Sequence, residues 1–326
     1  MEVKMRDNKY TPEDLKMMQS WSLERKIQVT QTRIIEWYQR NNGKVYVSFS
    51  GGKDSTVLLD LVRRIYPDVP AVFIDTGLEY PELREFVKTI PNVTWLKPEM
   101  NFRKVIEKYG YPVISKEVSK RVHWGKRYLE EGKVGYWAYQ SLTQPVFTKD
   151  GKRSPYDKHK YGYLLDAPFK VSDNCCKIMK KDTAHKYVNQ TGRKPIIATM
   201  ACESQLRKMA WLKNGCNAFD ATNPASTPMS FWTEQDVLRY LKEYNISYAS
   251  VYGEIEEDSD GRLHTTKCDR TGCVFCGFGC RVEKEPNRFQ MLKQTHPQLW
   301  HYCMKPWDEG GLGMKEVLDY IGVKYE

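Results

Sequence analysis

Nowhere does this sequence approach 18 consecutive apolar residues, the length a helix needs to cross a bilayer, so a transmembrane helix is not expected. The first residues, MEVKMRDNKYTPEDLKMMQSW, lack the apolar stretch of a signal peptide and carry charges in its place. No membrane partner is expected, and the chain is read as cytoplasmic. There is no internal repeat and no low-complexity tract, which excludes solenoids and compositionally biased arrays. The six histidines are scattered without any H-x-x-x-H pair, so each is read as a surface or core residue and not a metal ligand.

Cysteine, aromatic residues and positive charge are well represented. At 326 residues, 40% hydrophobic and 13% aromatic, the chain can bury a good core and hold one large domain or two. Its nine cysteines need a reason in a reducing compartment, where clustered thiols point to metal or redox chemistry more often than to disulfides. Five are grouped as Cys268, Cys273, Cys276, Cys280 and Cys303, and Cys175 and Cys176 are adjacent. The net charge is +10. Residues 97–160 hold fifteen Lys and Arg against seven Asp and Glu, interleaved with Tyr109, Tyr111, Trp124, Tyr128, Tyr136, Trp137 and Tyr139. Basic and aromatic side chains together are the composition of a nucleic-acid surface, DNA or RNA; a solvated basic face near an anionic nucleotide is the plainer reading.

Periodicity predicts the elements. Residues 11–40 read as helix, opened by a capping box of Thr11 and Asp14 and stopped near Gly43. VYVSFS reads as a first strand, STVLLDLVRRIY as a helix, AVFIDTG as a second strand, PELREFVKTI as a helix and VTWLKP as a third strand. Strand–helix–strand–helix–strand in so short a stretch implies right-handed crossovers and a parallel sheet. The pattern weakens from Pro98 to Asn174, where TKDGKRSPYDKHKYG reads as a polar loop. A helix follows over about 177–189, then KPIIATMACES as strand into loop, SQLRKMAWL as a helix start, and WTEQDVLRYLKEYNI as an amphipathic helix capped by Thr233 with Asp236. The expected fold is α/β, a doubly wound, mostly parallel sheet with flanking helices. An N-terminal helical segment (1–44), a nucleotide-binding α/β domain (45–245) and a C-terminal Cys-rich region (246–326) make up its parts.

Ser50-Gly51-Gly52-Lys53-Asp54-Ser55 joins the first strand to its helix. Two glycines let the backbone turn tightly and bare consecutive N–H groups, and the helix N-terminus adds partial positive charge. Ser48, Ser50 and Ser55 offer hydroxyls, and Lys53 can neutralise phosphate. The string has neither the G-x-x-x-x-G-K-[ST] nor the G-x-G-x-x-G spacing, yet its place between a β-branched strand and an apolar helix marks it as a phosphate loop for a nucleotide.

SFSGGKDS resembles the pyrophosphate loop of the N-type ATP pyrophosphatases, and more narrowly that of the phosphoadenosine phosphosulfate reductase family. FIDTGLEYPE, YGYPVISKE, NCCKIMKKDTAHKY, IIATMACESQLRKMA, TPMSFWTEQDVLRYL and TGCVFCG resemble further segments of that family in the same order, over about residues 45–280. The resemblance implies an adenine nucleotide, ATP or adenylyl sulfate, with its phosphates held by Ser50, Gly51, Gly52, Lys53, Asp54 and Ser55. It implies that Asp75 orients Mg²⁺ or nucleotide, and that Arg207 reaches sulfate or phosphate. Lys53, Asp54 and Asp75 are the expected catalytic groups.

For the cysteines two sets compete. Spacing alone allows Cys268, Cys273, Cys276 and Cys280 to close around one metal, as thiolates do for zinc or iron–sulfur. The resemblance implies Cys175, Cys176, Cys273 and Cys276 around a [4Fe–4S] cluster, with Cys268 or Cys280 as substitutes and Zn²⁺ as the alternative metal. Cys202, Cys216 and Cys303 lack partners at diagnostic spacing and are read as core residues.

Sulfonucleotide reductases of this family use a C-terminal Cys in a Glu-Cys-Gly-Leu-His-like tail, whereas this sequence closes with VLDYIGVKYE. The reading preferred from sequence is therefore an ATP-dependent sulfur-transfer enzyme that adenylates an acceptor, nucleic acid being one candidate, and draws on a sulfur-donor protein. The alternatives are a reductase of adenylyl sulfate or phosphoadenylyl sulfate using Cys280 or Cys303 as nucleophile, and a zinc-dependent nucleic-acid-binding protein.

Overall fold

The structure is a computed structural model that describes residues 8–326; the first seven residues of the expected N-terminal segment lie outside it. The chain divides into two compact units. One holds residues up to Asp75, then Glu79–Lys97 and Ala184–Thr271; the other holds Thr76–Leu78, Pro98–Thr183 and Gly272–Glu326. The stretch 45–245 contributes to both.

The first unit opens with helices α1 (Pro12–Gln19) and α2 (Leu23–Arg40), where one continuous helix was expected. The break has a local cause. Ser22 is extended and its hydroxyl accepts from the Arg25 amide, starting a new helix in place of continuing the old one. Then come β1 (Val45–Ser48), α3 (Lys53–Arg63), β2 (Ala71–Ile74), α4 (Pro81–Thr89) and β3 (Val93–Leu96).

The second unit takes over with α5 (Phe102–Tyr109), β4 (Val113–Ile114), α6 (Lys116–Glu130), α7 (Trp137–Thr143) and the single turn α8 (Asn174–Cys176). Helix α9 (Asp182–Thr191) leads back to the first unit. There β5 (Lys194–Ile197), α10 (Gln205–Asn214), β6 (Asn217–Ala218), β7 (Ala225–Ser226), α11 (Glu234–Glu243), β8 (Ile255–Glu257) and β9 (Leu263–Thr265) follow. The second unit ends the chain with β10 (Gly277–Phe278), α12 (Arg288–Thr295), α13 (Pro297–Met304) and α14 (Met314–Tyr320). None of these helices is long and apolar enough to cross a membrane.

The first unit is the expected α/β fold. Its six-stranded sheet runs β3-β2-β1-β5-β7-β6, parallel except for β6. Near-continuous apolar strands suit a parallel sheet buried on both faces. Val45, Val47, Ala71, Phe73 and Ile196 lie in one core with Val57, Leu58 and Leu61 of α3 and Ile34 and Trp37 of α2. Lys26, at 2% exposed, reaches Asp236 Oδ2 at 2.7 Å, and the same carboxylate caps α11 through Thr233. A charge this deep is tolerated because it is paired and hydrogen-bonded, its Nζ also donating to the Gln19 carbonyl at 2.7 Å.

The strand order matters for function. The chain runs outward from β1 to β2 and β3, then returns to β1's other side with β5. That reversal places a crevice at the carboxyl ends of β1 and β5, where open α/β sheets take their ligands.

Candidate functional site

At the carboxyl end of β1 the chain turns through Phe49, Ser50, Gly51 and Gly52 into α3. Gly51 stands at φ 74°, and a Cβ there would lie 2.8 Å from Val87 Cγ2, so both the backbone and the neighbour require glycine. Gly52 is the N-cap residue and has no side chain to cap with; the Tyr252 hydroxyl stands over it and accepts from the Lys53 amide, so an anion would take the amides beyond Lys53 or displace that hydroxyl. The loop is braced from within. Ser50 N donates to Ser55 Oγ at 3.2 Å, the two hydroxyls stand 3.1 Å apart, and the Ser55 and Thr56 hydroxyls donate to the Gly52 carbonyl at 2.9 and 3.0 Å. Ser48 is the last residue of β1, in register with Val72 and Ile197, and half-buried.

Lys53 begins α3 and is 5% exposed. Its ammonium lies 3.4 Å from Glu234 Oε1 and 5.1 Å from the centre of the Tyr252 ring. Asp54 follows, with its carboxyl pushed up to about 6 by burial and then by Glu203, while Lys53 and Arg270 pull the other way. Glu203, four residues before Arg207, is ion-paired to it and lies 3.6 Å from Arg270 Nη1. Lys53, Asp54, Glu203, Arg207, Glu234 and Arg270 thus form one set of three cations and three carboxyls around the loop. Arg207 also lines a pocket of about 470 Å³, part of it open to solvent, with Thr199, Met200, Trp211 and Ser230.

Sequence reading found Lys53, Asp54 and Arg207 but missed Glu203, Glu234 and Arg270. Glu203 had a signal, since its spacing from Arg207 puts both on one face of the turn that enters α10. Glu234 and Arg270 had none, because the fold brings them from far along the chain. Asp75, at the end of β2, is 6% exposed and accepts from Arg84 Nη2 at 2.8 Å, so one of its oxygens is engaged by α4.

Asp54 makes stability depend on pH. Its ordinary value is 3.8, so between there and about 6 the folded state keeps a proton that the unfolded state has lost. Stability therefore falls as pH rises through that window, by up to about 3 kcal/mol, and levels off above it. Asp54→Asn is expected to raise stability by up to that amount at pH 7.5 and to leave it nearly unchanged at pH 4, read from urea titrations at the two pH values.

The second unit gathers the thiols. Cys175, Cys176, Cys273 and Cys276 line one pocket of about 310 Å³, part of it open to solvent, with Leu78, Phe102, Pro112, Met179 and Lys180. Two local features build it. The Cys175-Cys176 turn runs into a π-helical turn over Lys177–Lys181, where a regular helix was expected; such turns are frequent at functional sites. Opposite, Gly277 and Phe278 pair in parallel with Val113 and Ile114. A Cβ at Gly277 would lie 2.4 Å from the Pro112 carbonyl oxygen, so only glycine lets this strand approach. Ile114 stands at φ 61°, a costly conformation for a β-branched residue.

The adjacent thiols share a proton. The hydrogen bond from Cys175 lowers Cys176 to about 6, helped by Lys116 and Lys180 against the cost of burial. The same bond raises Cys175, as do burial and the nearby Cys276 and Cys273. Burial pushes Cys276 up to about 11.

The other cysteines do not line this pocket. Cys280 is 2% exposed and its thiol donates to the Gly277 carbonyl at 3.0 Å. Cys268 belongs to the first unit, where its thiol donates to the Arg270 carbonyl at 3.1 Å. Among the described residues no three His, Cys, Asp or Glu side chains are gathered as a single metal ion requires. Cys216 and Cys303 are buried core residues, as read from the sequence. Cys202 is not: it is exposed, because it sits in the loop leaving β5 and not on the sheet.

Residues 44–134 match the phosphoadenosine phosphosulfate reductase domain. An uncharacterized protein of Methanocaldococcus jannaschii is 37% identical over 288 residues, 87% of this chain and 52% of that protein. Adenosine 5'-phosphosulfate reductase 2 of Bacillus subtilis is 31% identical over 84 residues, 24% of this chain and 36% of that enzyme. An adenosine 5'-phosphosulfate reductase of Lysinibacillus sphaericus is 24% identical over 236 residues, 72% of this chain and 78% of that enzyme. The chain thus spans about half the length of the first of these relatives and about a third of the second.

Proposed function

Since the chain belongs to the phosphoadenosine phosphosulfate reductase family through residues 44–134, we propose that it is a sulfonucleotide reductase, acting on adenylyl sulfate or its 3′-phosphorylated form. The observation that carries this reading is the loop of Ser50 to Ser55, with Lys53, Arg207 and Arg270 around it, at the point where the strand order reverses.

The nucleotide's phosphate takes amides of the first turn of α3, displacing the Tyr252 hydroxyl from that of Lys53, together with the Lys53 ammonium. Its sulfate draws Arg207 and Arg270 away from Glu203. A thiolate then attacks the sulfur, the bond from sulfur to the phosphate oxygen breaks, and the adenine nucleotide leaves with that electron pair. The S-sulfonated cysteine that remains is cleaved by a dithiol reductant: one thiol attacks the cysteine sulfur, sulfite departs, and the second thiol closes a disulfide on the reductant. Backbone N–H groups and Lys53 stabilise the charge that grows on the leaving phosphate.

The nucleophile expected from sequence, Cys280 or Cys303, is ill placed for this step. Both are buried, and burial pushes Cys280 up to about 11 and Cys303 further. Cys202 is the exposed thiol among the described residues, and it lies within electrostatic reach of Glu203, Arg270 and Asp54. Desolvation first and Glu203 next raise its pKa, while Arg270 lowers it, so the rate should climb with pH as it ionises.

The four-thiol pocket fits an iron–sulfur group by its donors: four sulfurs, two lysines to balance their charge, and apolar walls. Cys175, Cys176, Cys273 and Cys276 would hold it. When bound, a [4Fe–4S] cluster would supply a local charge and redox centre; a single Zn²⁺ fits these thiols less well, since no three of them are gathered as one ion requires.

One observation favours a second reading, ATP-dependent sulfur transfer. Outside the four-thiol pocket no described cysteine has a lowered pKa, so no thiolate is poised for reduction at neutral pH. In that reaction an acceptor oxygen attacks the α-phosphate of Mg·ATP and pyrophosphate leaves, with Asp54 and Asp75 as the candidate carboxylates for Mg²⁺; sulfide from a sulfur-donor protein then attacks the activated acceptor carbon, the carbon–oxygen bond breaks and AMP leaves with the electron pair. Anaerobic incubation of the purified chain with ATP, adenylyl sulfate or its 3′-phosphate decides between them. Thiol-dependent sulfite that is lost in Cys202→Ser supports the reductase; pyrophosphate from ATP without sulfite overturns it.

A further inference from the structure

Of thirteen exposed large hydrophobic side chains among the described residues, seven fall between 129 and 163: Leu129, Val134, Tyr136, Trp137, Phe147, Tyr156 and Tyr163. All belong to the second unit. The phosphate loop and the thiol pocket leave them unexplained.

They are not scattered. Lys120, Trp124, Arg127 and Tyr128 recur every three or four residues, so they share one face of α6. Trp124 lies 5.8 Å from Tyr128, and Tyr128 stacks on Tyr136 at 4.6 Å. Arg127 stands over Trp124 at 5.3 Å, and Arg121 over Trp137 at 5.2 Å. Tyr136 and Trp137 are about half exposed, at 54% and 48%. Rings and guanidinium groups therefore meet along α6 and at the start of α7 in two groups, Arg127–Trp124–Tyr128–Tyr136 and Arg121–Trp137, with Arg121 only 14% exposed and Arg127 also paired to Glu131. Around it, residues 116–160 carry eleven Lys and Arg against five Asp and Glu.

Exposed rings alone would suit an apolar protein partner, and cations alone any polyanion. Interleaved, they suit a polyanion that also offers flat apolar faces, which is a nucleic acid. Duplexes hide those faces inside the stack, so a ring platform requires unpaired bases. Folded RNA presents unpaired bases steadily in its loops and bulges, and aromatic rings and arginine planes are what such bases stack on.

We propose that the α6–α7 surface of the second unit, centred on Arg121, Trp124, Arg127, Tyr128, Tyr136 and Trp137, binds single-stranded RNA. The inference stands apart from the reaction at the phosphate loop: a reductase could carry this surface, and a sulfur-transfer enzyme would use it to hold its acceptor.

The test uses the purified full chain and a fluorescein-labelled, unstructured 20-nucleotide RNA, read by anisotropy at about 100 mM salt. Binding should weaken steeply with salt. Tyr136→Ala with Trp137→Ala should lower affinity at least ten-fold, and Lys120→Glu with Arg127→Glu should do the same while flattening the salt dependence. Each variant is first checked for an unchanged melting temperature; these side chains are at the surface, and if one pair fails to fold the other decides. The proposal is overturned if the RNA does not bind, or if folded variants bind like the parent chain. It is also overturned if single-stranded DNA, duplex RNA or poly-glutamate competes as well as single-stranded RNA.

Discussion

Cys276→Ser is expected to lose the iron–sulfur group proposed for the four-thiol pocket, while Cys280→Ser, four residues on, is expected to keep it. The two thiols share a short loop, so sequence spacing treats them alike; the structure does not. Cys276 lines the pocket with Cys175, Cys176 and Cys273, whereas Cys280 is outside that lining and donates to the Gly277 carbonyl. Anaerobically purified parent chain, Cys268→Ser and Cys280→Ser are expected to hold about four irons each, the content of a [4Fe–4S] cluster, with the brown absorbance of that group. Cys175→Ser, Cys176→Ser, Cys273→Ser and Cys276→Ser are each expected to fall below one iron and to lose the colour. Iron and zinc analysis by mass spectrometry, with visible spectra, reads the result. Loss of iron in Cys280→Ser as complete as in Cys276→Ser would discard this ligand set, and about one zinc per parent chain would discard the cluster.

What the sequence made legible follows from the range of the interactions involved. The β1–α3–β2–α4–β3 run was readable because each element declares itself: apolar strands, amphipathic helices, Gly51 and Gly52 between them. The capping boxes at Thr11 and Thr233 were readable for the same reason, since both partners sit within one turn. Residues 98–174 were not: the fifteen-residue α6 buries Val118, Ser119, Val122 and Gly125, too few apolar side chains to show a helical period, and a two-residue strand such as Val113–Ile114 has none to detect. The split between α1 and α2 turned on one hydroxyl, Ser22, inside a pattern that otherwise reads straight through. The π-helical turn after Cys176 left no trace in periodicity, because one residue of slippage is less than a helical pattern resolves. The charged set around the phosphate loop was half visible: Lys53, Asp54 and Arg207 lie in motifs, but Glu234 opens α11 and Arg270 sits in the loop after β9, and only the fold brings them together. Reading Cys202 as core failed because spacing says nothing of exposure.

The pair formed by Lys53 and Glu234 allows the phosphate loop to be tested with two substitutions of opposite sign. In the ligand-free chain the ammonium rests 3.4 Å from Glu234. A nucleotide phosphate must draw it away, so Glu234 competes with the ligand. Lys53→Met keeps the stem over the Tyr252 ring and removes the charge, so packing survives and the charge-assisted bond does not. Such bonds contribute about 1.5–3 kcal/mol, and affinity for adenylyl sulfate or ATP is expected to fall about ten- to a hundred-fold by isothermal titration. Stability should move by less than about 1 kcal/mol, because Glu234 is 42% exposed and water replaces its partner. Glu234→Gln removes the competitor and should tighten the same ligand about two- to five-fold, within the free energy of a half-exposed ion pair. Neither change in affinity is decisive by itself, since a damaged loop weakens binding and a stiffer one strengthens it. Opposite signs from the two ends of one ion pair, with stability unchanged in both, require the ammonium to leave Glu234 for the phosphate. Equal affinities in the parent chain and Lys53→Met would move the nucleotide away from this loop altogether.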